Sequence, residues 1–121
     1  MRVKKLGLGI ILVAGMLIAG ARARAGEPLT VQRLLYQCQS TSGEFCLGYV
    51  GGVGDLMELN DFLRLGNPGF KGASMCTGGL TPTYEARVQA FENWAQAHPE
   101  SWSEPALNGV LEALSYTWPC K

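Results

Sequence analysis

Four cysteines constrain this chain more than any other feature. Cys38, Cys46, Cys76 and Cys120 stand 8, 30 and 44 positions apart in a chain of 121 residues. No C-x-x-C pair occurs among them, which argues against a structural zinc site and against a redox-active dithiol. An even set of cysteines in a small domain reads as a disulfide framework, provided that the chain leaves the reducing cytoplasm.

The N-terminus meets that condition. Arg2, Lys4 and Lys5 form a positive start, and Leu6 to Gly20 is an uncharged apolar run of 15 residues. Two overlapping A-x-A sites follow, Ala21-Arg22-Ala23 and Ala23-Arg24-Ala25. This is the layout of a secretory signal. The run is shorter than the roughly 20 residues that a spanning helix needs. The expectation is a signal peptide at 1–25, cleaved after Ala25, and a periplasmic domain at 26–121 with no membrane association after cleavage.

Cleavage would change the charge balance. The whole chain has 10 basic and 10 acidic residues, but five of the basic ones lie before residue 26. The mature part keeps 5 basic residues against 10 acidic, a net charge of −5. Nucleic acid and anionic lipid both require basic patches, so neither is expected as a partner. The 96 remaining residues suffice for one domain with a modest core, in which disulfides are useful staples.

The hydrophobic pattern is helical throughout, which predicts an all-α fold, a small four- to five-helix bundle with two disulfides. Val31, Leu34, Leu35 and Cys38 recur on one face of a helix over about 29–39. A second helix runs over about 44–63, where Thr41 and Glu44 have capping-box spacing. On it Phe45, Tyr49, Leu56, Leu59 and Leu63 are expected to share a broad buried face. Gly48, Gly51, Gly52 and Gly54 interrupt this helix, each at a cost of about 0.5–1 kcal/mol relative to alanine. Close packing against a neighbouring helix is the expected compensation. The run matches no phosphate-binding motif.

Residues 64–80 form a long glycine-rich loop. Thr81-Pro82 is expected to open a third helix carrying Val88, Phe91, Trp94 and Ala95, ended by His98-Pro99. A fourth covers about 105–117, with Leu107, Val110, Leu111 and Leu114 on one face. In an up-down bundle the end of the first helix meets the start of the second. The start of the third likewise meets the end of the fourth. That topology suggests the pairs Cys38–Cys46 and Cys76–Cys120.

No catalytic constellation emerges. His98 is the sole histidine and sits at a helix end, and the cysteines are assigned to bridges. Asp55, Glu58 and Asp61 lie on neighbouring helical turns and read as a solvated face. The chain is therefore expected to be a binding protein rather than an enzyme, with no cofactor and no metal. Phe70 and Trp102 fall in connectors, where an aromatic residue either anchors an interface or folds back onto the core.

Four segments, LLYQCQS (34–40), FCLGYVGGVGD (45–55), CTGGLTPTYEARVQAFENWAQAHPE (76–100) and ALNGVLEALSYTWPC (106–120), resemble in order and spacing the Rap/Tai group of periplasmic immunity proteins of type VI secretion systems. The resemblance covers nearly the whole mature part. Trp118 stands where that family more usually has Phe, and residues 64–75 differ from its usual loop. The resemblance implies binding and inhibition of a secreted peptidoglycan amidase effector, a toxin that cuts cell-wall peptides with a Cys-His pair. It also implies insertion of a loop or helix end into the toxin groove, often by a homodimer. On that expectation Asn67, Phe70, Lys71, His98 and Trp102 form the contact surface. A competing expectation is a periplasmic acid-stress chaperone, for which an excess of acids makes charge reversal at low pH easy.

Overall fold

The computed structural model describes residues 26–66 and 74–120. The predicted signal peptide and Asn67, Phe70 and Lys71 lie outside the described residues.

The described residues form four helices, α1 (Val31–Gln39), α2 (Glu44–Gly66), α3 (Tyr84–Ala97) and α4 (Ala106–Thr117), with one 3-10 turn at Pro99–Ser101. No strand occurs among the described residues, and none of their helices is long and apolar enough to cross a membrane. Each helix touches the other three. The core is where they meet: Val31 and Leu34 from α1, Val50 and Met57 from α2, Phe91 and Ala95 from α3, Val110 and Leu114 from α4. Burying each of the larger side chains contributes about 1.5–3 kcal/mol.

Local chemistry sets most of the helix ends. Thr30 caps α1 through its hydroxyl, which accepts from the Arg33 N–H at 3.3 Å. The free N–H groups of Val31 and Gln32 donate to the carbonyls of Glu104 and Trp102 at 3.0 and 3.1 Å, which ties α1 to the α3–α4 connector. Helix α3 starts two residues later than Pro82 suggests. Thr83 is its cap, its hydroxyl accepting from the Ala86 N–H at 3.1 Å.

Both disulfides have the expected partners. Cys38 and Cys46 join α1 to α2, Cys76 and Cys120 join the segment before α3 to the end of α4, and Cα–Cα is 4.9 Å in each. By the chain-entropy estimate the two loops contribute about 2.5 and about 4 kcal/mol.

The apolar face predicted for α2 is not its core face. Of its five residues only Tyr49 packs against the core; Phe45, Leu56, Leu59 and Leu63 are 55%, 54%, 51% and 45% exposed, whereas Cys46, Val50 and Met57 are fully buried. Both sides of this helix are apolar, so periodicity finds two stripes and cannot rank them.

Candidate functional site

The glycines of α2 divide by face. A Cβ on Gly51 would lie 2.4 Å from the Tyr84 ring, and one on Gly54 would lie 2.6 Å from Arg87 Cδ. These two positions let α3 approach the α2 backbone, as the glycine content predicted. Gly48 and Gly52 point the other way, and a Cβ there would meet nothing within 4 Å.

Into the space beside Gly51 and Gly54 goes Arg87, whose side chain is completely buried. Its Nη1 donates to the Gly51 carbonyl at 2.7 Å and to Asp55 Oδ1 at 2.8 Å. Its Nη2 is 3.3 Å from Glu58 Oε1, an ion pair without hydrogen-bond geometry. Its guanidinium carbon lies 5.1 Å from the Tyr84 ring centroid, and the Tyr84 hydroxyl donates to Asp55 Oδ2. A buried cation alone would be costly, so the two carboxylates, the carbonyl and the ring face together make its burial tolerable. Donation by the Tyr84 hydroxyl and then by Arg87 holds the Asp55 carboxyl below the usual carboxylate value. The same bond to Asp55 pushes the Tyr84 phenol up.

Asp55 and Glu58 are thus not simply a solvated face, which corrects the sequence reading. They clamp α2 to α3 through Arg87. Arg87 itself was missed, although a signal existed: residues 87, 91, 94 and 95 have core-stripe spacing, and one of them is charged.

One turn further along α2, Asp61 faces the second disulfide, with Oδ1 3.0 Å from Cys76 Sγ and 3.8 Å from Cys120 Sγ. The sulfurs are bonded to each other, so they carry no proton to donate and are not thiolate ligands for a metal. A cleft of about 470 Å3 opens here, bordered by Glu58, Asp61, Phe62, Met75, Gly78 and Gly79. The described chain leaves this region at Gly66 and re-enters at Ser74. The re-entry is held by the disulfide, by the Cys76 N–H donating to the Trp118 carbonyl at 3.0 Å, and by the Ser115 hydroxyl donating to the Ser74 carbonyl at 3.3 Å. The described segment that begins at Ser74 is therefore pinned to the end of α4.

His98 and Trp102 lie together at the α3–α4 connector. The His98 ring stacks on Trp94 with centroids 4.6 Å apart, and its Nδ1 is 2.7 Å from the Trp94 carbonyl. The Trp102 indole donates to the Ala95 carbonyl at 2.8 Å and packs on the core. Both side chains use their polar atoms to close the end of α3. Trp102 accordingly folds back onto the core, one of the two roles open to it in the sequence.

Comparison with known proteins gives one match. A family model described as Rap1a immunity proteins matches residues 30–120. No curated protein and no solved structure matches the chain.

Proposed function

The chain belongs to the Rap1a immunity protein family, and on that premise we propose that it is exported to the periplasm, where it inhibits a secreted peptidoglycan amidase. An immunity protein acts by binding a toxin, not by turning over a substrate. The family match over 30–120 carries this reading. It embraces both disulfides, residues 64–80 and the α3–α4 connector. The contact surface is the loop at Asn67, Phe70 and Lys71, together with the connector at His98 and Trp102. The acidic mature domain suits a basic rim around the toxin's groove. The active form is a homodimer.

Capture of the toxin tests this directly. The tagged protein, purified from the periplasm, is expected to retain an amidase encoded beside it and to block its cleavage of peptidoglycan. Substituting Phe70→Ala and Lys71→Ala together should weaken capture without lowering the thermal midpoint. Tight capture of a neighbouring toxin with a different chemistry would sink the amidase assignment while leaving the immunity role intact.

A second reading, an acid-stress chaperone, draws support from the half-exposed carboxylate that holds Arg87 and from the exposed apolar side of α2. It requires that the protein suppress aggregation of an unfolded client at about pH 2–3, where most carboxylates are protonated. A folded and inactive protein at that pH ends it.

A further inference from the structure

The outer face of α2 is only partly covered by the described residues, yet it is built like an interface. Phe45, Gly48, Gly52, Leu56, Leu59 and Leu63 follow one another at intervals of 3, 4, 4, 3 and 4, which keeps all six on one side of the helix. The four large side chains are between 45% and 55% exposed. The two glycines face open space. An interior helix glycine is unfavourable, and here no described neighbour requires it.

We infer that this face receives α2 of a second copy, crossing antiparallel about a two-fold axis at Gly52. This rests on the homodimer part of the reading above and supplies its surface. The spacing is self-complementary. With Gly52 on the axis, Phe45 of one copy stands opposite Leu59 of the other, and Leu56 stands opposite the notch left by Gly48. Every large side chain of the central turns then meets a large partner or a gap, as an isologous contact requires. A parallel crossing would set Leu56 against Leu56 and Gly48 against Gly48, so no knob would meet a notch.

Area agrees as well. Half-exposed Phe45 and three half-exposed leucines offer roughly 300–400 Å2 of apolar surface, the size of patch that usually marks an interaction site. The apolar part of one side of a standard interface is roughly 450–500 Å2. Phe62, 71% exposed at the edge of this face, supplies much of the remainder.

The test uses the protein purified from the periplasm of cells expressing the full chain. Light scattering is expected to give a dimer at micromolar concentration. Gly48→Leu fills the notch while adding its side chain to open space, so it should weaken the dimer roughly 100-fold without lowering the thermal midpoint of the dilute protein. Under mild oxidation Gly52→Cys should cross-link to itself on the axis, and Phe45→Cys should not. An equimolar mixture of Phe45→Cys and Leu59→Cys should cross-link. A dimer that is indifferent to Gly48→Leu, or a Phe45→Cys variant that cross-links alone, overturns this surface and leaves the homodimer standing. A monomeric wild type overturns both, whether the face is then covered by the toxin or by the chain's own N-terminal apolar run. Toxin capture by the same samples reads the immunity function separately.

Discussion

The two faces of α2 use the same residue type for opposite ends. On the inner face Gly51 and Gly54 are filled by Tyr84 and Arg87, and the gap left by each missing side chain is occupied. On the outer face Gly48 and Gly52 leave their gaps open. The difference teaches that a glycine in a helix is explained by what approaches it, not by its own flexibility. It also locates the most sensitive polar contact of the domain, since close approach on the inner face is what lets a charged side chain be buried.

The largest break in this contrast comes from Arg87→Ala. It empties a fully buried site and leaves Asp55 and Glu58 without their cation, so stability should fall by about 3 kcal/mol or more, read by denaturant unfolding. Gly54→Ala comes next. Its Cβ would press on the Arg87 side chain, which is held at both ends, and the expected loss is about 1–3 kcal/mol. An unchanged midpoint would mean that Arg87 can move aside and that the clamp is loose.

Acid should loosen the same clamp more gently. Asp55 has a folded value below its ordinary 3.8. Its contribution is therefore complete above that pH and disappears as pH falls through the lower folded value. Because its side chain is 52% exposed, solvent screening limits the effect to about 1 kcal/mol or less. The gap in stability between wild type and Asp55→Asn should be constant above about pH 5 and close on acidification below pH 4. A gap that widens with acid contradicts this sign.

The smallest effect lies on the outer face and has the reverse direction. Gly48→Ala or Gly52→Ala should each stabilise the dilute, monomeric protein by about 0.5–1 kcal/mol, since nothing stands where the methyl would go. Destabilisation by either would show that a described or undescribed part of the chain covers this face.

Much of the architecture was legible in the residues. Helical spacing located all four helices to within a few positions, and adjacency of helix ends paired Cys38 with Cys46 and Cys76 with Cys120. Two things were not. The stripe of Phe45, Leu56, Leu59 and Leu63 has the periodicity of a core face, although the opposite stripe of Cys46, Val50 and Met57 is the one that packs. Arg87 was passed over because a charge on a core stripe is tolerable only with partners from another helix, 32 residues away in the case of Asp55. Of the candidate contact residues, His98 and Trp102 are brought together at the end of α3, where each also serves the fold.

The sequence by itself determined the four helices of the described residues and which cysteines can staple them. Those features depend on spacing within a segment and on the order of segments along the chain. Only the tertiary structure decided which side of α2 faces inward, which glycines are filled, and that a lone arginine lies at zero exposure between two carboxylates. Those outcomes depend on what a second helix places opposite each residue, and the free energy of burying a charge or a gap is set by that partner rather than by the segment that carries it.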